Sequence, residues 1–156
     1  MSESLHNTLK SYLLELGKMS KNSKGQPYYE VYSGDSQPIH IVQGKRYIEN
    51  KPDVVWEYKG KPSLIIEIAL TEEWRTIVGE ITLAYLTKGC EGILLITANW
   101  DETYIKNLVS LIGDKLKQAS KRPFYTYCIN LNENQLKNLE EVKKLIKNHL
   151  KRWGWI

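Results

Sequence analysis

Cysteine is scarce in this chain: Cys90 and Cys128 are the only two, with no CxxC pair and no histidine at a ligand spacing beside them. A disulfide framework and a zinc cage are thereby excluded, and two buried free thiols are expected. Long apolar runs are missing as well. The longest, such as Ile93-Leu94-Leu95-Ile96, fall far short of the roughly 20 residues that cross a bilayer. The opening Met1-Ser2-Glu3-Ser4-Leu5-His6 lacks the basic and then apolar pattern of a secretory signal. These absences lead us to expect a soluble intracellular (cytoplasmic) protein with no membrane partner. Internal repeats and long linkers are also lacking, and there is one Phe against five Trp and ten Tyr.

What remains is the composition of one globular unit. The 156 residues are 42% hydrophobic and 26% charged, enough apolar surface for a core and too short a chain for two ordinary domains. A single domain over residues 1–156 is expected, with a core in about 1–100 and a C-terminal strand and helices in 101–156. Lys and Arg number 22 against 18 Asp and Glu, a net charge of +4. That excess permits a nucleic-acid partner if the cations cluster.

Leu5, Leu9, Tyr12, Leu13 and Leu16 lie on one 3.6-residue stripe and predict a helix ending near Gly17. A polar loop over 18–27 leads to a Tyr-rich strand over 28–32, the turn Ser33-Gly34-Asp35-Ser36, and an extended piece over 39–48. A hairpin follows, with arms 53–58 and 64–70 around Lys59-Gly60-Lys61-Pro62. Thr71 is the expected N-cap of a second helix, whose stripe includes Trp74, Ile77, Ile81 and Tyr85, ending at Gly89. Gly92 to Thr97 reads as a strand buried on both faces. Asp101 caps a third helix, 124–131 is a strand, and one last helix starts at Glu133 with acids early and lysines late. The alternation predicts an α/β domain with a mixed β-sheet and helices on both faces.

The hairpin carries two acids. Glu67 interrupts an apolar strand, where a buried unpaired carboxylate is costly. With an odd-numbered loop centred on Gly60, Asp53 falls directly opposite Glu67, β-carbons about 4.5–5.5 Å apart. A two-residue turn would put them on opposite faces. Facing carboxylates repel unless a proton or cation lies between them, and a divalent ion with oxygen ligands suits the gap. The plainer reading makes Asp53 a turn acid after Pro52 and Glu67 an exposed residue paired with a lysine. The same register sets Lys51 opposite Ala69, on the face of both acids. Glu30 is read as an exposed strand residue, and His6, His40 and His149 receive no role.

The segments Lys51-Pro52-Asp53-Val54-Val55 and Ile65-Ile66-Glu67-Ile68-Ala69, followed by a helix and the buried strand Gly92–Thr97, resemble the motif of the PD-(D/E)xK nuclease superfamily. The likeness covers roughly Gln26 to Thr97. It implies a restriction-endonuclease-like fold, Mg2+ (or Mn2+) held by Asp53 and Glu67, and metal-dependent hydrolysis of phosphodiester bonds in DNA. It also implies a possible homodimer, since such enzymes often pair to cut two strands. The motif lysine is replaced by Ala69. Lys51 is the candidate replacement cation and Arg75 the runner-up, Glu80 would add a ligand or orient a water, and Glu30 answers to the extra acid such nucleases often carry upstream, its plainer reading being an exposed strand residue. Alternatively, the chain is a catalytically degenerate relative that binds nucleic acid or a protein partner. Lys45, Arg46, Lys59, Lys61 and Arg75 surround the acids in sequence, interleaved with Tyr47, Trp56, Tyr58 and Trp74, and are the candidate DNA contacts.

Overall fold

The computed structural model of the protein describes residues 2–28 and 30–156; Tyr29, within the expected Tyr-rich strand, lies outside them. The leucine stripe folds into α1 (Ser2–Met19), with Leu9, Leu13 and Leu16 buried. Gly17 does not end this helix. The position instead needs the absence of a side chain, because a Cβ there would lie 2.7 Å from Trp56 Cε2. The Trp56 indole passes over it to donate to the Leu13 carbonyl at 3.1 Å.

The chain continues through β1 (Glu30–Tyr32), β2 (Ile39–Gln43), β3 (Arg46–Asn50), β4 (Val54–Tyr58), β5 (Lys61–Ala69), α2 (Trp74–Leu86) and β6 (Gly92–Ala98). It ends in α3 (Glu102–Ser120), β7 (Tyr125–Leu131), α4 (Glu133–Leu136) and α5 (Leu139–Arg152). Five strands form one sheet in the order β1-β4-β5-β6-β7, antiparallel up to β5 and parallel beyond it. β2 and β3 pair only with each other, as a separate ribbon. The protein is thus a single-domain α/β fold with a mixed sheet.

Strand alternation divides the core between the two faces. Trp56, Leu64, Ile66 and Ile68 join Leu9 and Leu13 of α1 and Val142, Ile146 and Leu150 of α5. Val55, Ile65 and Ala69 join Ile77 and Ile81 of α2 and Ile105 and Val109 of α3. β6, covered on both sides, is buried at every residue. The core is therefore not confined to the first hundred residues, since β7 and α5 build one face of it.

The central hairpin turns differently from expectation. Lys59 and Gly60 both have positive φ, 53° and 75°, the signature of a two-residue primed turn whose twist matches that of the strands. Tyr58 pairs with Lys61 and Glu57 with Pro62; the register then shifts, and Trp56 pairs with Leu64. Ser63 is the extra residue of a β-bulge. The short turn and the bulge offset one another, so Val54 still faces Ile66.

Two helix boundaries also differ. α2 starts at Trp74 with Glu73 as a cap lacking a side-chain bond, rather than at Thr71. The expected last helix is two helices: Asn132 and Gln135 form a capping box for α4, and the Asn138 side chain caps α5 by accepting from Glu141 N. Asp101 caps α3 as expected, accepting from Tyr104 N at 2.9 Å. No helix among the described residues is long and apolar enough to cross a membrane.

Candidate acidic site at the end of the central hairpin

Asp53 immediately precedes β4, and Glu67 lies near the carboxyl end of β5. The two are locked together through the backbone. Asp53 N donates to Glu67 Oε1 at 2.7 Å, and Ile68 N donates to Asp53 Oδ2 at 2.8 Å. Each acid is thus oriented by a main-chain donor on the other's strand, which fixes both without using up their lone pairs. Glu67 is only 8% exposed and lies between Ile65 and Ala69, which pack against α2.

Two further acids stand behind this pair. Glu80 projects from α2 and hydrogen-bonds Glu72 from the turn before it. Glu72 Oε2 and Glu80 Oε2 are both buried and accept no hydrogen bond from any donor outside this pair. Burial, then the bond to Glu72, then the charge on Glu67 push the Glu80 carboxyl well above its ordinary range. Burial raises Glu67 too, with Asp53 and Glu72 adding to it; the Asp53 N–H and the Lys10 charge oppose the rise. Sequence reasoning placed Glu80 here but not Glu72, whose only signal was its position in the turn leading into Glu80's helix.

Two residues of α1 complete the surroundings. His6 Nε2 lies 3.2 Å from Asp53 Oδ1, although histidine spacing alone gave it no role. Lys10, one helical turn further on, pairs with Asp35 at 2.9 Å and lies within electrostatic reach of Glu67. The sequence signal for both was their i,i+4 spacing beside the leucine stripe. Gly34 positions the approach to the acids: its N–H donates to Pro52 O at 2.7 Å, and a Cβ would come within 2.5 Å of that oxygen.

The remaining candidates are dispersed. Lys51 is half exposed and pairs with Glu49 at 3.6 Å. The β4–β5 ladder ends at Val54 and Ile66, and Ala69 pairs instead with Thr97 of β6, fully buried. Arg75, in the first turn of α2, lies over the Trp74 ring at 5.3 Å. Lys45 and Arg46 are exposed at the turn of the β2–β3 ribbon, where Arg46 bonds Gln43. Lys59 sits in the hairpin turn beside Tyr58, six residues and therefore about 20 Å of strand from Asp53. Closeness in sequence had suggested a ring of cations around the acids; the hairpin carries Lys59 to its opposite end. The Lys61 side chain lies outside the described residues. Glu30 is exposed and bonds Gln37.

The donor set suits a hard divalent cation. Four carboxyl groups are electrostatically coupled, two of their oxygens are buried, and positive charge would favour the ionised forms of Glu67 and Glu80. Among the described residues, no group of three or more His, Cys, Asp or Glu side chains is placed so that it could hold a metal ion by itself. Mg2+ does not require one, since it keeps several waters and is commonly held by one or two carboxylates plus substrate phosphate. No protein-family model matches the chain, and no curated protein and no solved structure matches it.

Proposed function

We propose that the protein is a Mg2+-dependent nuclease that hydrolyses phosphodiester bonds in DNA, with a restriction-endonuclease-like arrangement of its hairpin. The observation that carries the reading is the reciprocal backbone locking of Asp53 and Glu67, backed by two more buried acids. Such like charges are held together only where protons or a cation will occupy the space between them. Bound to Asp53 and Glu67, a divalent cation would supply Lewis acidity and a water of lowered pKa.

The chain's own residues do the rest. Ile68 N–H and His6 hold the Asp53 carboxylate in one orientation. Glu80, whose carboxyl is pushed above its ordinary range, retains its proton and releases it as the charge at the site changes. Lys10 takes the part of the missing motif lysine, because its charge reaches Glu67 even while it pairs with Asp35. The exposed β2–β3 ribbon, bearing Lys45, Arg46 and Tyr47, has the width of an element that enters a DNA groove.

Cleavage of supercoiled and linear DNA with Mg2+ or Mn2+ tests this. Asp53→Ala and Glu67→Ala are each expected to lower the rate by at least about a hundredfold. Lys10→Ala is expected to cost more than Lys51→Ala or Arg75→Ala. If Asp53→Ala and Glu67→Ala cut as fast as the parent protein, the site is misassigned. A second reading, binding without cutting, draws on Ala69, which is fully buried where the motif has its lysine. Salt-sensitive DNA binding with no cleavage at any metal concentration would favour it.

A further inference from the structure

At the opposite end of β5 from the acids, a cleft of about 430 Å³ is walled by Tyr28, Tyr58, Tyr125, Tyr127, Trp153 and Trp155. Its volume lies within the range of small-molecule sites. The end of α5 builds one wall. Gly154 adopts φ 84°, and the N–H groups of Trp153, Gly154 and Trp155 return to His149, Lys151 and Leu150. This cap turns two indoles back onto the sheet. Trp153 stacks on Tyr127 with ring centroids 4.3 Å apart. The loop before β1 builds the other wall and is tied to this cap by Ser23 N–H to Gly154 O and by Tyr28 OH to Trp155 O at 2.6 Å.

The cleft is rich in donors. Trp155 is 9% exposed, and its indole Nε1 is buried without a well-formed hydrogen bond. The Tyr127 hydroxyl interacts with that N–H, which favours the ionised phenol against the larger effect of burial. Asn22 spends its side-chain oxygen on Lys24 N and Gln26 N, and Gln26 spends its own on Tyr58 OH, so both keep amide NH2 groups as donors. A buried N–H without a well-formed hydrogen bond is costly, and here it sits among flat rings. Ser63, the bulged residue of β5, lines the same cleft.

We infer that this cleft is a second binding site, for a flat heteroaromatic ring bearing hydrogen-bond acceptors, namely a nucleobase. The aromatic walls supply stacking, which any base accepts. The Trp155 N–H and the amides take ring nitrogens or carbonyls, and Lys24 at the rim, with Glu91 also in the lining, meets the phosphate. The choice of a nucleobase among flat rings rests on the nuclease reading; the existence of the site does not. Ser63 and Glu67 are four residues apart on one strand, so the two sites are separated by about 13 Å along it.

The test uses the full chain in EDTA, so that its outcome is independent of cleavage. Thymidine and deoxyadenosine monophosphates are titrated in, with ribose 5-phosphate as the ringless control, while the Trp155 indole N–H resonance is followed. A saturable shift of that resonance with the nucleotides and not with the sugar phosphate is expected. Trp155→Phe, which keeps a ring and removes the donor, should weaken binding about fivefold. The inference is overturned if the indole resonance does not move, if the sugar phosphate moves it equally, or if a folded Trp155→Phe binds as tightly as the parent.

Discussion

Glu67 and Glu80 are acids whose native carboxyls sit above their ordinary value of 4.5 because burial and neighbouring carboxyls disfavour the charged form. Above that value the native state therefore holds protons that the unfolded chain has released, and stability must fall with rising pH. The stabilising share is complete below the unfolded value and is lost as pH climbs through the raised native one. Without divalent cations, the melting temperature is expected to drop by several degrees between about pH 5 and about pH 9. Glu80→Gln should flatten that slope. Added Mg2+ should raise the melting temperature more at the alkaline end, since the ion and the protons compete for the same oxygens. A melting temperature independent of pH in the metal-free protein would count against the buried cluster. Cys90, buried and with its thiol pushed up to about 12, contributes nothing to this chemistry.

Residue identity made part of this site legible. Glu67 inside an apolar run and Asp53 after Pro52 stand out because strand alternation makes a lone acid conspicuous. His6 and Lys10 do not stand out, because α1 brings them in from more than forty positions away and a helix flank normally holds such residues in solvent. Glu72 was illegible for a related reason: an acid in a turn reads as solvated until a helix partner such as Glu80 is shown to face it.

At the scale of elements, the hairpin is where sequence and structure agree by a route the sequence did not disclose. Lys59-Gly60 makes a tight turn, and nothing about Ser63 announces a bulge. Only the pairing of Trp56 with Leu64 reveals that the offset has been corrected. Deleting Ser63 should move β5 one residue against β4 and swing Glu67 to the face of α1 and α5, placing a carboxylate in the leucine core. The expected result is loss of metal-dependent stabilisation and destabilisation of several kcal/mol, roughly that of an unpaired buried charge. Urea unfolding with and without Mg2+ measures both. A milder lesion is Gly17→Ala, where overpacking against Trp56 should cost about 1–3 kcal/mol, a change readable in the urea midpoint. Helix stripes and the doubly buried β6 were legible because burial imposes periodicity. Caps such as Asn138 were not, because asparagine inside a polar stretch carries no period.

At the scale of the molecule, the acids and the aromatic cleft occupy opposite ends of one strand, and β5 is the common support of both. β5 is antiparallel to β4 and parallel to β6, so a hairpin with local contacts meets a crossover with distant ones. The same face of the sheet needs α1 from the start of the chain and α5 from its end. Tyr28 OH reaches the Trp155 carbonyl across 127 positions. Contacts of that sequence separation form late, because the intervening chain must be ordered before they add stability. During synthesis, the leucines of α1 and Trp56 of β4 therefore lack part of their cover until residues 139–156 have cleared the ribosome.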